Sequence, residues 1–314
     1  MDISIVIPVR NEAENIQSLC KALNLVLGKL RKEYEIIFVD DGSNDNTIQE
    51  LRKAVDSDYR VRIVRLMKNF GKAVAYSAGF EQAKGNIVFT IDGDLQEDPN
   101  EIPRFIQKLE EGYDLVSGWR LERHDPFHKT IPSVFFNKVT SSLTGIKIHD
   151  FNCGFKAYRK DVIEKIDIYG ELYRFIPVLA EWEGFRVGEI MVKHYPRKYG
   201  KSKYGTTRLL KGFFDLLTVL MLTKYAKRPL HFFGGIGLAL ASLGFAIDLY
   251  LSLLKIFNKE IIGNRPLLLL GILLIISGIQ FFSLGLLAEI ITKINFKKNQ
   301  QHGVRDIIEN NKKG

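Results

Sequence analysis

Two long apolar stretches near the C-terminus constrain the fold of this chain more than any other feature of its sequence. They run from Phe232 to Phe257 and from Leu267 to Ile291, and each exceeds the roughly 20 residues that a helix needs to span a bilayer. Apolar residues occur all round both stretches, which favours a membrane-spanning pair over the alternative of two buried core helices. The sequence therefore predicts an integral membrane protein whose first part, up to about residue 205, is soluble.

Charges beside these stretches predict the orientation of the chain. Cations flank the pair on its outer sides: Lys224, Lys227, Arg228, Lys293, Lys297 and Lys298. The connection between the stretches holds only Lys259 and Arg265, so the positive-inside rule places the soluble domain and both termini in the cytoplasm. Asp248 and Glu289 lie inside the apolar stretches, where acidic residues usually face protein, and they indicate helix–helix contacts or a homo-oligomer.

The net charge of +9 favours anionic partners such as membrane lipid and nucleotide phosphates. A nucleic acid is disfavoured as a partner, because the cations cluster near the apolar stretches and not on one long face.

Strand and helix signals alternate along the soluble part. The β-rich runs that precede or separate helical patterns are Ile3–Pro8, Tyr34–Val39, Val61–Leu66 and Ile87–Ile91. This alternation predicts an α/β fold with a mainly parallel sheet covered on both faces. Pro8, Asp41 and Asp92 stand at strand ends, and the carboxyl edge of such a sheet is where a nucleotide would lie.

The segment Asp92-Gly93-Asp94 is the strongest candidate site in the chain. It follows a buried strand directly, and two carboxylates in this position could hold Mg²⁺ or Mn²⁺, which in turn could bind a diphosphate. The same short pattern also occurs by chance, and the alternative is a polar turn before the helix that starts near Pro99.

Two further segments have open interpretations. The loop from Arg197 to Gly205 is basic and aromatic, with Gly and Ser between its cations; it is either a phosphate-binding loop or a solvated face. The stretch from Thr206 to Thr223 is amphipathic, which is typical of a helix that lies in the membrane interface or packs on the core.

Five motifs occur together in a fixed order: Ile5-Val6-Ile7-Pro8-Val9-Arg10-Asn11-Glu12, Val39-Asp40-Asp41-Gly42-Ser43, Asn69-Phe70-Gly71-Lys72, Asp92-Gly93-Asp94-Leu95-Gln96 and Cys153-Gly154-Phe155. Through them the chain resembles the family 2 glycosyltransferases, and more narrowly the polyprenyl-phosphate glycosyltransferases, the group of dolichol-phosphate mannose synthase and bacterial undecaprenyl-phosphate glucosyltransferases. The resemblance covers residues 1–292.

This resemblance implies a division of the chain into four parts. They are a GT-A-type, Rossmann-like catalytic domain at 1–205, an amphipathic interface helix at 206–229, two transmembrane helices at 230–292 and a polar cytoplasmic tail at 293–314.

The resemblance also implies roles for individual residues. Those that match the nucleotide pocket are Pro8, Arg10, Glu12, Val39 and Asp41. Those that match the donor diphosphate site are Asp92, Gly93, Asp94 and Gln96, of which Asp92, Asp94 and Gln96 would hold Mg²⁺ or Mn²⁺. Those that match the site for the lipid phosphate are Arg120, Lys129 and Ser133, and those in the loop that closes over the donor are Arg197, Ser202 and Lys203. Arg10 stands where relatives often have Tyr, and Lys129 replaces a common Arg.

The reaction implied by the resemblance is transfer of a sugar, with inversion, from a nucleotide-diphosphate sugar to a polyprenyl phosphate. UDP-glucose and GDP-mannose are the expected donors, and other UDP-sugars remain open. Asp150 is a candidate base or a group that orients the acceptor, and the alternative is a helix–loop cap. One alternative is a processive polysaccharide synthase, although neither Trp119 nor Trp182 fits the Gln-x-x-Arg-Trp motif of that class. The other alternative is a non-enzymatic membrane interaction protein.

Overall fold

A computed structural model describes residues 1–120, 137–168, 170, 172–196, 208–225, 228–258 and 266–298. The chain divides into two compact units, Met1–Val219 and Leu220–Gly314.

The first unit alternates strands and helices, as predicted. Its strands are β1 (Ile3–Val9), β2 (Tyr34–Asp40), β3 (Val61–Arg65), β4 (Ile87–Thr90), β5 (Leu115–Arg120), β6 (Lys156–Arg159) and β7 (Val187–Val192). Its helices are α1 (Ala13–Leu27), α2 (Thr47–Ser57), α3 (Lys72–Gln82), α4 (Ile102–Glu110), α5 (which includes 137–144), α6 (Lys160–Lys165), α7 (Ile176–Trp182) and α8 (Arg208–Leu222, which ends in the second unit). Short 3₁₀ turns occur at Gly28–Leu30, Pro99–Glu101 and Leu172–Phe175.

The strands of the described residues form one sheet in the order β3-β2-β1-β4-β6-β5-β7. The pairs β1–β2, β1–β4, β2–β3 and β5–β7 are parallel, and only β6 runs against its neighbours β4 and β5. The predicted mainly parallel sheet is therefore confirmed.

Both faces of the sheet are covered, because successive residues of each central strand point to opposite sides. Ile5 and Phe38 belong to one core cluster, which includes residues of α1, α2 and α4. Val6 and Val39 belong to a second cluster, with residues of α3, α6 and α7. This double burial explains why β1 and β2 are apolar along almost their whole length.

The sheet brings distant parts of the sequence to one edge. The parallel strands β1, β2 and β4 end there at Val9, Asp40 and Thr90. Because β6 is antiparallel to β4, it begins at the same edge, and its first residue Lys156 pairs with Thr90. The loops that follow β1, β2 and β4 therefore start at the edge where β6 begins, and β5 ends at this edge at Arg120.

The opposite edge carries a buried carboxylate, Glu35, whose side chain is 3% exposed. It accepts hydrogen bonds from Ser4 Oγ at 2.7 Å, from Arg62 Nη1 at 2.8 Å and from the Lys84 amide at 2.8 Å. Burial alone would raise the pKa of Glu35, but these donors outweigh burial and lower it. The ionised form therefore stabilises the fold above the unfolded-state pKa, and this contribution is lost as the pH falls through the lower folded-state pKa.

We expect Glu35→Gln to lower the free energy of unfolding by about 2 kcal/mol at neutral pH, because hydrogen bonds to an ionised group are lost. The difference from wild type should shrink as the pH falls below about 4. Chemical denaturation of the full chain in detergent at both pH values measures it. Glu33→Gln, at a side chain 80% exposed, is the control and should change little. A pH-independent effect of Glu35→Gln would contradict the assignment.

The second unit is a pair of long helices, α9 (Pro229–Asn258) and α10 (Pro266–Lys298). Their backbones approach closely at glycines: a Cβ added to Gly237 would lie 2.6 Å from the carbonyl oxygen of Gly278, and one added to Gly278 would lie 2.5 Å from that of Gly237. Small residues at such crossings are typical of helix pairs in membranes.

Most of this pair is not covered by other parts of the chain. Pro229–Phe257 and Pro266–Thr292 are long and apolar enough to cross a membrane, yet only 17% and 11% of their apolar windows are buried. The alternative of two buried core helices is therefore wrong, and a membrane-spanning pair fits.

The acidic residues inside these helices face the partner helix. A Cβ on Gly271 would lie 2.0 Å from Asp248 Oδ1, and Glu289 Oε2 accepts a hydrogen bond from the Leu230 amide at 3.3 Å. Of the two predicted roles of Asp248 and Glu289, these positions match helix–helix contact; the homo-oligomer stays a prediction.

Candidate active site

The Asp92-Gly93-Asp94 segment lies directly after β4, at the carboxyl edge of the sheet. A Cβ on Gly93 would come within 2.7 Å of Val9 Cγ1, so the loop packs against the end of β1. Leu95 has a left-handed φ of 57°, and the Gln96 amide donates to Asp94 Oδ1 at 3.3 Å. The chain thus turns sharply at this point, and Asp94 is left 9% exposed.

Asp92 is held on several sides. Its Oδ1 lies 2.5 Å from Lys72 Nζ and 3.4 Å from the Tyr76 hydroxyl, and a Cβ on Gly154 would lie 2.5 Å from the same oxygen. Partial removal from water would raise the pKa of Asp92, but Lys72, with Arg120 and Lys156 further away, outweighs this and lowers it. Asp92 is therefore an ionised carboxylate in a basic surrounding.

Sequence reasoning missed two buried ionisable residues beside this loop. Glu97 is 5% exposed and accepts the Asp92 amide hydrogen bond at 2.9 Å; burial first, and then the charge of Asp92, raises its pKa well above the usual range. Lys156 is 3% exposed, its Nζ donates to the carbonyl oxygen of Cys153, and burial lowers its pKa. A charged residue at the start of the β-rich run Lys156–Arg159 was the available signal for Lys156.

The residues present fit a divalent cation of the Mg²⁺ type. Among the described residues, no ready group of three or more His, Cys, Asp or Glu could hold a metal ion. Mg²⁺, however, is usually bound through one or two carboxylates together with substrate phosphates, and Asp92 and Asp94 supply two carboxylates. The side-chain nitrogen Nε2 of Gln96 donates to the carbonyl oxygen of Tyr195 at 3.1 Å, which fixes the Gln96 side chain beside the same loop.

The predicted nucleotide residues lie at the same edge, after β1 and β2. Asp41 accepts hydrogen bonds from the Phe70 and Gly71 amides at 2.7 and 3.0 Å, and thereby holds the loop before α3. The Glu12 amide donates to Thr47 Oγ1 at 2.9 Å, which ties the loop after β1 to the start of α2.

The other three predicted nucleotide residues differ in how far they are buried. Pro8 pairs with Val39 in the sheet, and Pro8 and Arg10 are half-buried at the end of β1. The Val39 side chain is fully buried in the core under α3, so only its backbone faces the edge.

Arg120 and Asp150 form a two-pronged ion pair on the other side of the site. Arg120 Nε lies 2.8 Å from Asp150 Oδ2, and Nη2 lies 3.2 Å from Oδ1. Burial would lower the pKa of Arg120, but Asp150 outweighs burial and raises it. Asp150 is 0% exposed, and its predicted roles stay predictions.

The remaining predicted residues, Lys129, Ser133, Arg197, Ser202 and Lys203, lie outside the described residues. The chain leading to the basic loop is nevertheless anchored at the site. Glu97 and His194 form an antiparallel bridge, and the Tyr195 amide donates to the carbonyl oxygen of Gln96 at 2.8 Å. The described chain that precedes the basic loop therefore lies beside the Asp92–Asp94 turn.

The model of glycosyl transferase family 2 matches residues 4–167, just over half of the chain. The chain belongs to this family. Its similarity to curated family 2 relatives extends over nearly its whole length: it is 39% identical to dodecaprenyl-phosphate galacturonate synthase of Rhizobium johnstonii, over 95% of this chain and 89% of that protein. It is 38% identical to undecaprenyl-phosphate 4-deoxy-4-formamido-L-arabinose transferase of Yersinia pestis, over 93% and 88%.

Solved structures share the fold of this family 2 member. Glucosyl-3-phosphoglycerate synthase of Mycobacterium tuberculosis, in complex with Mn²⁺ and UDP-glucose, superimposes with a TM-score of 0.53 at 18% identity, over 71% of this chain and 78% of that one. The structure of the same enzyme with phosphoglyceric acid gives a TM-score of 0.52 at 19% identity, over 69% and 79%. The predicted GT-A-type fold is thereby confirmed.

Proposed function

We propose that this protein transfers a sugar from a nucleotide-diphosphate sugar to a polyprenyl phosphate at the cytoplasmic face of the membrane, and inverts the anomeric carbon. The observation that carries the proposal is the length of the match: the relatives are named for polyprenyl-phosphate sugars, and the match to the first of them spans 95% of this chain. Two helices long and apolar enough to cross a membrane, α9 and α10, support the proposal because they would keep the catalytic domain at the bilayer, where a polyprenyl phosphate presents its headgroup.

The donor half of the site would consist of the residues after β1, β2 and β4. Pro8, Arg10, Glu12, Val39 and Asp41 would line the nucleotide, and Asp92, Asp94 and Gln96 would hold Mg²⁺ or Mn²⁺ beside Gly93. When bound, such an ion offsets the negative charge that builds on a leaving diphosphate. Arg197, Ser202 and Lys203 would close over the donor, and this is supported by the contact of Tyr195, in the described chain that leads to them, with Gln96.

The acceptor half would be built around Arg120. Asp150 fixes the guanidinium in a two-pronged contact, so Arg120 is pre-oriented to bind a phosphate oxygen, and Lys129 and Ser133 would complete this subsite. A phosphate has a second pKa near 6, so the attacking oxygen is already ionised at neutral pH, and a strong general base is not required. The acceptor oxygen attacks the anomeric carbon, and the bond from that carbon to the diphosphate oxygen breaks.

The sugars expected from the sequence differ from those in the names of the relatives. Sequence reasoning names UDP-glucose and GDP-mannose as donors, whereas the relatives are named for galacturonate and 4-deoxy-4-formamido-L-arabinose. All four sugars belong in the test.

The test is a transfer assay with the purified full chain in detergent, undecaprenyl phosphate, Mg²⁺ or Mn²⁺ and a panel of UDP- and GDP-sugars. We expect release of UDP or GDP that depends on both the lipid and the metal, together with a lipid product that carries one sugar. Addition of several sugars would indicate a processive synthase. If no nucleotide is released from any donor, and neither UDP nor GDP protects the protein against heat, the result would indicate a non-enzymatic membrane interaction protein.

A further inference from the structure

Lys72 is the first residue of α3, and its ammonium group lies close to at least three side chains of the described residues. Its Nζ lies 2.5 Å from Asp92 Oδ1, and 5.5 and 5.4 Å from the ring centroids of Tyr76 and Tyr173. The Lys72 side chain is only 20% exposed. A lysine confined in this way differs from a solvated surface lysine, whose ion pair would contribute little.

This ion pair conflicts with a metal at Asp92. A divalent cation bound to that carboxylate would stand within a few ångströms of the ammonium, where repulsion is strong at the low effective dielectric of a protein cleft. A Cβ added to Gly154 would lie 2.5 Å from Asp92 Oδ1 and 2.7 Å from Oδ2, so this carboxylate is closely bordered by the Gly154 segment. Lys72 and a metal ion would therefore compete for Asp92 when the metal site is filled.

The Lys72 ammonium would have another anionic partner in the filled site, because a diphosphate held by the same metal would bring anionic oxygens next to Asp92. The four-carbon stem of lysine is flexible, and its ammonium can donate in three directions. The rings of Tyr76 and Tyr173, whose centroids lie 5.5 and 5.4 Å from the ammonium, would attract the cation as it turns, because aromatic faces attract positive charge.

We propose that Lys72 is a donor-binding residue that neutralises Asp92 in the empty site and donates to a diphosphate oxygen of the nucleotide sugar once the metal has bound. This inference rests on the proposed function for the identity of the donor. It assigns a role to the one charged residue of the Asn69-Phe70-Gly71-Lys72 motif. It also makes Lys72 a competitor of the metal in the absence of nucleotide, and a partner of the leaving group in its presence.

The experiment measures two affinities of the full chain in detergent, and neither measurement needs a sugar or an acceptor. Mn²⁺ binding without nucleotide is followed by electron paramagnetic resonance of the free ion, and binding of UDP and GDP at saturating Mn²⁺ is followed by calorimetry. The variants are Lys72→Met, Lys72→Gln and Lys72→Arg. Lys108→Met is the matched control, because Lys108 also pairs with a carboxylate, Glu111 at 2.7 Å, and lies 4.8 Å from the ring of Tyr113.

We expect Lys72→Met and Lys72→Gln to bind Mn²⁺ alone about tenfold more tightly than wild type, and the preferred nucleoside diphosphate about tenfold more weakly, as for one hydrogen bond to a charged group. Lys72→Arg should stay close to wild type in both affinities, and so should Lys108→Met. The opposite signs of the two changes separate this role from simple misfolding, which would weaken both affinities.

Three results would overturn the proposal. The first is an unchanged Mn²⁺ affinity together with an unchanged nucleotide affinity in Lys72→Met. The second is a rise of Mn²⁺ affinity in Lys72→Met while the affinities for UDP and GDP stay at their wild-type values, which would leave Lys72 without a role in donor binding. The third is a wild-type protein that binds neither UDP nor GDP. If the affinities change as expected but no sugar reaches any polyprenyl phosphate, the role of Lys72 stands and the proposed acceptor is wrong.

Discussion

Asp94→Ala is expected to abolish sugar transfer while the protein still folds and inserts into the membrane. Asp94 lies in the turn after β4 and supplies one of the two carboxylates proposed to hold the metal beside the leaving diphosphate. Loss of such electrostatic stabilisation lowers kcat by about a thousandfold or more. The turnover of the purified variant, measured as nucleotide release at saturating Mg²⁺ or Mn²⁺, tests this expectation.

Glu110→Ala is the control for this substitution, because it removes an exposed carboxylate from α4 in the same unit. It should leave transfer near the wild-type rate. Equal thermal unfolding of Asp94→Ala and wild type without metal would show that the fold is intact. Near-normal turnover of Asp94→Ala with metal present would rule out the metal role.

Asp150→Asn is expected to weaken use of the lipid acceptor far more than use of the donor. The neutral amide cannot balance the guanidinium of Arg120, whose side chain is only 15% exposed, so the cation that we propose to bind the acceptor phosphate loses its fixed position. Removal of one partner from a buried ion pair also costs about 3 kcal/mol of stability. We expect a roughly hundredfold loss of kcat/KM for undecaprenyl phosphate, which is typical for the loss of one preorganised hydrogen-bond donor.

The dependence on pH distinguishes orientation from general base catalysis. If Asp150 orients Arg120, the pH profile of kcat keeps its shape in Asp150→Asn, and Arg120→Lys shows a similar rise in acceptor KM. If Asp150 is the base, kcat falls with little change in KM and the acidic limb of the profile moves. Asp114→Asn is the matched control, because Asp114 pairs with Arg159 at 3.8 Å near the other end of β5 and should not affect transfer.

The features that follow from regular patterns of apolar residues could be predicted from the sequence. Alternation of β-rich runs with helical patterns gave the sheet, because strands buried on both faces must be apolar throughout. The position of Asp92 after Ile87–Thr90 followed from the same logic, since Asp is rare inside a strand. The two apolar helices followed from length alone.

The contacts within the site could not be predicted in the same way, because they join residues that are far apart in sequence. The pairing of Lys72 with Asp92 requires the end of β4 to lie beside the start of α3. The composition of a strand determines neither its register nor its direction in the sheet. Lys156 could not be recognised as buried until β6 was known to run between β4 and β5. Val39 shows the opposite case, in which a motif position lies at the site while its side chain belongs to the core.

The reversed direction of β6 has a consequence for how this enzyme could diversify. Strand β5 ends at Arg120, and β6 begins at Lys156 on the same edge of the sheet, so the sequence between them connects two points of the edge that carries Asp92. Changes in the length or composition of this connection would leave the order of β1, β2 and β4 in the sheet unchanged, and these strands lead to the residues proposed to bind the nucleotide. New acceptors could therefore be recruited by exchanging this one insertion, with the donor machinery left as it is.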